Sequence, residues 1–183
     1  MAFPERVETE RLLLRRLEES DRDAFGVIWS DPEVWRPLGA WAAPGEEFVH
    51  DRLRHHLEHW RVHGFGLWAV LERGSHELAG WVGPAHPSGI AELEEEVEIG
   101  WTLRPSFRGR GLATDSARIA VEVGFSELAA PRVISLVHSS NERSIAVTAR
   151  LGMRHESDVL HPALGQELRV YELRRGGGAA TVA

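Results

Sequence analysis

Between Pro105 and Ala113 the chain reads PSFRGRGLA, with Arg108, Gly109, Arg110 and Gly111 in consecutive positions ahead of small and apolar residues. Glycine lacks a Cβ, so backbone there can take positive φ or come close to a ligand. A helix starting just beyond leaves its first amides unpaired, and its dipole favours an anion. Arginine adds forked donors that suit phosphate. The sum is a diphosphate cradle; the competing reading is a surface turn with solvated arginines. Gly109, Gly111 and Thr114 spell G-x-G-x-x-T, one glycine short of the dinucleotide fingerprint, and the glycines stand too far from the preceding strand. A nicotinamide enzyme therefore ranks second.

Three other groups could do chemistry. His55-His56-Leu57-Glu58-His59 spells H-x-x-E-H, an inverted zinc-peptidase order. His55, His59 and His63 share one helical face at a spacing that can chelate metal; the alternative is a solvated, partly protonated helix face. Glu96 and Glu98 alternate with Val97 and Ile99, so either could serve as a base, Glu98 through a water. Glu92, Glu94 and Glu95 read as a solvated strand end. Trp35 and Trp41 lie in the Pro/Gly-broken stretch RPLGAWAAPGEE, where they could wall a pocket or cap the core.

Composition removes whole reaction classes. The 183 residues contain no Cys, which excludes thiol nucleophiles, disulfides and cysteine metal sites. They also contain no Lys, which excludes a Walker A lysine and a pyridoxal-phosphate Schiff base. A formal net charge of -7 argues against general nucleic-acid binding. No apolar run is long enough to span a bilayer, and MAFPERVETE does not read as a signal peptide. The expected location is the cytoplasm, with no membrane or nucleic-acid partner.

The elements that must position these groups follow from periodicity and breakers. Strands are expected over Thr9–Leu17, Phe65–Arg73, Glu77–Gly83, Glu94–Leu103, Arg132–His138, Met153–Leu160 and Glu167–Leu173. Helices are expected over Glu18–Ser30 with Ser20 as a cap, Pro44–His63, Ala113–Leu128, and Asn141–Leu151 with Asn141 as N-cap and Gly152 as stop. Ala113, Ala117, Ala120, Val121 and Gly124 form a narrow small-residue stripe that can lie close on a sheet. The fold class is α/β (α+β): a mixed, mostly antiparallel central sheet of about six or seven strands flanked by helices. Residues 1–175 form one domain and 176–183 a flexible tail.

EVEIGWTLRPSFRGRGLATDSAR, from Glu96 to Arg118, resembles the strand, R/Q-x-x-G-x-G/A loop and helix of the GCN5-related N-acetyltransferases, in the branch that acetylates ribosomal-protein N-termini. Asn141-Glu142-Arg143-Ser144 with Leu151-Gly152-Met153 is similar to that branch's N-x-x-S…L-G-M segment, and TERLLLRRL to its first strand. The resemblance implies acetyl-CoA as cosubstrate and direct transfer to an amine, either a peptide N-terminus or a small molecule. It implies that amides of Arg108, Gly109, Arg110, Gly111, Leu112 and Ala113 hold the pyrophosphate. It implies a splayed strand, Ile99 through Trp101 to Leu103, beside the pantetheine. Asn141 would bond the pantetheine arm, with Arg143 also at the cofactor, and Ser144 would be the acid for the leaving thiol. Glu98 is the candidate base, and an amide near Gly100 or Trp101 the donor to the thioester carbonyl. Tyr171, the sole tyrosine, lies too late to match the tyrosine acid of other branches. No resident metal is expected. Homodimers are common in the resembled family. A CoA-binding sensor without turnover is the second functional class, and a zinc peptidase built on His55, Glu58 and His59 the third.

Overall fold

The computed structural model describes residues 3–39, 43–162 and 164–176. Trp41 and nearly all of the expected tail lie outside these residues. Eight strands form one sheet: β1 (Arg6–Glu8), β2 (Leu12–Arg16), β3 (Trp68–Glu72), β4 (Leu78–Ala85), β5 (Glu98–Leu103), β6 (Arg132–His138), β7 (Arg154–His161) and β8 (Gln166–Arg174). Their order is β1-β2-β3-β4-β5-β6-β8-β7, and every adjacent pair is antiparallel except β5 with β6. The helices are α1 (Arg22–Ser30), α2 (Pro32–Trp35), α3 (Glu46–His63), α4 (Leu112–Ser126) and α5 (Glu142–Arg150).

The sheet divides the core in two, because side chains alternate across its faces. Leu14, Val70, Val82 and Ile99 face the small-residue stripe of α4. Leu17, Ala69 and Trp81 face Phe25 and Ile28 of α1 and Leu53 of α3. Covered on both faces, β4 is buried along nearly its whole length. The stripe performs the expected role: Ala117, Ala120 and Gly124 are buried, and a Cβ on Gly124 would come within 3.3 Å of Val133.

The strand that bears on function is β5. On one edge it pairs with β4 from Gly80↔Leu103 to Ala85↔Glu98. On the other it meets β6 only at Glu98↔Ile134, where the Ile134 amide donates to the Val97 carbonyl at 2.9 Å. Beyond that point the two strands part. The opposite edge of β6 is fully paired with β8, from Arg132↔Arg174 to His138↔Leu168, so β6 keeps its backbone partners while diverging.

Several sequence expectations shift. The sheet has eight strands because RVE forms an edge strand, β1, whose three residues carry no alternation signal. The expected strand at Glu94 begins only at Glu98, since Ala91–Leu93 forms a 3-10 turn. Ser20 is not a helix cap. Asp21 takes the structural role there: it is buried and bound by Arg15 at 2.7 and 2.8 Å. Asp31-Pro32 ends α1 but at once starts α2, where Asp31 caps the Glu33 amide at 2.8 Å.

Candidate active site

The Arg/Gly loop is where the sequence put it, but its arginines do different work. Gly109 and Gly111 have φ of +73° and +79°, a region that penalises any side chain. Gly111 is the N-cap of α4, and no side chain among the described residues caps that helix end, so its first amides are without a side-chain partner. The loop is fastened from behind. Arg11, on the turn before β2, donates to the Arg110 carbonyl at 2.6 Å and pairs with Asp115 at 2.9 Å. Arg108 donates to the Leu103 carbonyl at 3.1 Å and to Glu33 of α2 through its carboxylate at 3.0 Å and its carbonyl at 3.1 Å. Arg110 pairs with Glu72, and its guanidinium lies 5.7 Å over the Phe107 ring. Both guanidinia are therefore paired within the protein, Arg108 through three of its donors and Arg110 through one. Arg143 also leans on Glu33, at 3.0 Å. Arg118 and Arg150 line the cleft with no ion-pair partner among the described residues.

Strand parity decides which backbone faces the gap. The carbonyls of Val97, Ile99 and Leu103 all point away from β4, since they accept from Ile134, from the Ser135 hydroxyl at 2.7 Å and from Arg108. Trp101 has the same parity, so its N–H and C=O face the gap. The carbonyls of Ile99 and Leu103 are already occupied. Of the two amides considered for the thioester carbonyl, Trp101 has the right direction and Gly100 does not.

Two cavities meet beside this strand. The larger, about 910 Å³, runs along the Arg/Gly loop, the start of α4 and one side of α5. The smaller, about 210 Å³, lies between α1, α3 and the β5/β6 gap, with Trp29, Trp81 and Leu67 as apolar walls. Trp101, Thr102, Asn141 and Ser144 line both. Asn141 is buried and caps α5, its side-chain oxygen accepting from the Ser144 amide at 3.2 Å. The cap occupies that oxygen and leaves the carboxamide NH₂ for the cleft. The Ser144 hydroxyl has no protein partner among the described residues. Ile99 and Leu112 contribute only main chain, because their side chains are buried in the core.

Glu98 lines the smaller cavity. Although the residue keeps partial solvent access, desolvation of its carboxyl raises the pKa to about 7, with the Leu136 amide and Arg52 pulling the other way. That value suits a base near neutral pH. Glu96 is not a second candidate: Arg132 grips it at 2.6 and 3.1 Å while also bonding Glu172 at 2.9 Å. Glu92, Glu94 and Glu95 are exposed.

The H-x-x-E-H motif does not assemble. Glu58 is exposed and paired with Arg61 at 2.7 Å. Both His59 nitrogens are used: Nδ1 donates to the Phe65 carbonyl at 2.9 Å and Nε2 accepts from the His86 amide at 3.0 Å. Burial lowers the His59 pKa to about 4, so the ring is neutral and structural. No metal-competent group of three such side chains occurs among the described residues. Trp35 is buried in the core on the α1 face of the sheet, and Tyr171 is a core residue against His155.

An acetyltransferase (GNAT) domain model matches residues 11–154, more than three quarters of the chain and both motif segments. The chain belongs to the GNAT acetyltransferases. It is 27% identical over 150 residues to an uncharacterized N-acetyltransferase of Bacillus subtilis, YoaA, covering 82% of this chain and 83% of that one. It is 30% identical over 80 residues to the spermidine N(1)-acetyltransferase of Escherichia coli K12, covering 40% and 43% respectively. The crystal structure of an acetyltransferase from Agrobacterium tumefaciens superposes with a TM-score of 0.80 at 26% identity, over 96% of both chains. Membership makes this chain an acyltransferase. No helix among the described residues is long and apolar enough to cross a membrane.

Sequence reasoning missed Arg11, Glu33, Arg52, Trp29, Trp81 and Arg118. Each sits on an element remote in sequence from the loop or the strand it serves, or on a helix face that reads as ordinary surface.

Proposed function

We propose that the protein transfers acetyl from acetyl-CoA to a primary amine by direct attack within a ternary complex. One observation carries this reading: a long cleft floored by unpaired main chain meets a short pocket containing a candidate base, and they join at Trp101, Asn141 and Ser144. The cleft fits a CoA ester. Amides from Gly111 onward suit the pyrophosphate, Arg118, Arg143 and Arg150 offer positive charge, and the open edge of Trp101 offers strand-like partners to the pantetheine amides. When bound, that molecule supplies an activated acyl group and a thiolate leaving group.

The protein's own groups do the rest. Glu98, ionised in about half of molecules near pH 7, takes a proton from the entering amine, directly or through one water. The Trp101 amide, aimed into the gap, is the preorganised donor for the carbonyl oxygen. The Ser144 hydroxyl, at the junction of the cavities, is placed to hydrogen-bond the departing sulfur. Thiol release from acetyl-CoA in the presence of amines tests the reading. Acetyl-CoA binding with no thiol release across peptides, amino acids and polyamines would instead establish a sensor.

A further inference from the structure

Glu98 is the sole carboxylate lining the smaller cavity among the described residues and Arg52 the sole guanidinium, with His55, His56, His86 and His138 as further polar lining. Arg52 stands on α3 beside the buried Leu53, half-buried and facing the cavity. Its neighbours on the helix are paired: Arg54 with Asp51, and Arg61 with Glu58. Arg52 itself makes no hydrogen bond or ion pair among the described residues, although Glu98 is close enough to be felt. A guanidinium half-buried in the cavity wall and bonded by no carboxylate among the described residues is under-compensated. A ligand carboxylate would complete it with two parallel bonds.

We propose that this pocket selects an amine that also carries a carboxylate, a compact amino-acid-like acceptor, with Arg52 binding the carboxylate and Glu98 facing the amine. This deepens the acetyltransferase reading above and rests on it. The same cavity is walled by Trp29, Trp81 and Leu67, so the acceptor's side chain is apolar. The cavity's size, about 210 Å³, suits a small molecule. A polyamine fits poorly, since its second ammonium would lie beside Arg52 with no further carboxylate to receive it. Burial, and then Arg52, lower the pKa values of His55 and His56, and neither imidazole can serve Arg52 as an anionic counterpart.

The test is thiol release from acetyl-CoA with matched acceptors: phenylalanine, leucine and methionine, the amide of each, the corresponding decarboxylated amines, and spermidine. The wild-type protein is expected to prefer the free carboxylates over their amides by at least about tenfold in kcat/KM. Arg52→Gln is expected to abolish that preference through KM, with the acetyl-CoA Kd unchanged, and Arg52→Lys to restore part of it. Equal use of acid and amide, a preference for spermidine, or a preference surviving in Arg52→Gln each overturns the proposal. Calorimetric titration of the same acids and amides into CoA-saturated protein reads the pocket without turnover; no difference between acid and amide there also overturns it. Thiol release from none of the amines, with binding of the acids intact, sinks the proposed activity and leaves the Arg52 assignment standing. Thermal melts of both variants confirm that each is folded.

Discussion

The two cavities are built from different materials. In the larger cleft the groups offered to a ligand are mainly backbone: the amides behind Gly111 and the open edge of Trp101. Its two loop arginines are spent on holding the loop in shape. In the smaller cavity the groups are side chains, brought from α1, α3, β4, β5 and β6. A main-chain site needs only glycines, a strand end and a helix start in succession, and is written in one stretch of sequence. A side-chain site is written in pieces that mean nothing until the sheet assembles them. The first kind suits a ligand shared across a family, and the second suits a ligand that differs from one member to the next.

The largest expected effect tests the chemistry where the two cavities meet. Glu98→Gln should lower kcat by about a hundredfold or more, with acetyl-CoA affinity within about twofold of wild type. The wild-type kcat/KM should rise with pH and level off above about 7, because the carboxyl must lose its proton to act as base. The variant should lack that inflection. The same shift has a stability consequence. A carboxyl raised from 4.5 to about 7 leaves the folded protein holding an extra proton between those values, so stability from this group is lost as pH climbs through that window. Glu98→Gln should therefore gain in melting temperature relative to wild type at pH 8, and show little difference at pH 4.

Next in size is the loop. Gly111→Val forces a β-branched residue to φ near +79° and sets its side chain against the Arg11–Asp115 pair that holds the loop. Acetyl-CoA affinity should fall by about tenfold to a hundredfold, a cost of about 1–3 kcal/mol. Unchanged calorimetric affinity would remove the loop from the site. Arg11→Ala leaves every loop amide in place but releases the Arg110 carbonyl and Asp115. A Kd raised by about three- to tenfold is expected. An effect as large as that of Gly111→Val would mean that the fastening counts for as much as the glycine. Ser144→Ala should lower kcat by about tenfold at most, since a serine hydroxyl is a weak acid. The smallest change expected is from Glu58→Gln: nothing measurable in thiol release, with or without chelator, because Glu58 is an exposed partner of Arg61. A loss of activity in either case would reopen the H-x-x-E-H motif.

Legibility followed the same division. The α4 stripe, the Asn141 cap and the Arg/Gly loop each came from local patterns, and each stands at the expected residues. The histidine series on α3 was misleading for the opposite reason. Its spacing is real, but which ring nitrogen is free depends on Phe65 and His86, which are placed by the hairpin beyond the helix. Glu96 and Glu98 were indistinguishable by alternation. Arg132, arriving on β6 and also bonded to Glu172 of β8, neutralised one, while the gap between β5 and β6 left the other desolvated.

Taken alone, the sequence was sufficient for the family, the mostly antiparallel sheet and the Arg/Gly loop ahead of its helix, because those depend on which residue types follow one another over about twenty positions. The tertiary structure decided which charges are already satisfied and which are left over. Arg108 and Arg110 turned out to be occupied and Arg52 to have no bonded partner among the described residues, a distinction that rests on residues as distant as Glu33 and Glu72. Ion pairing depends on distances of a few ångströms between elements far apart in the chain, and no local pattern encodes those distances.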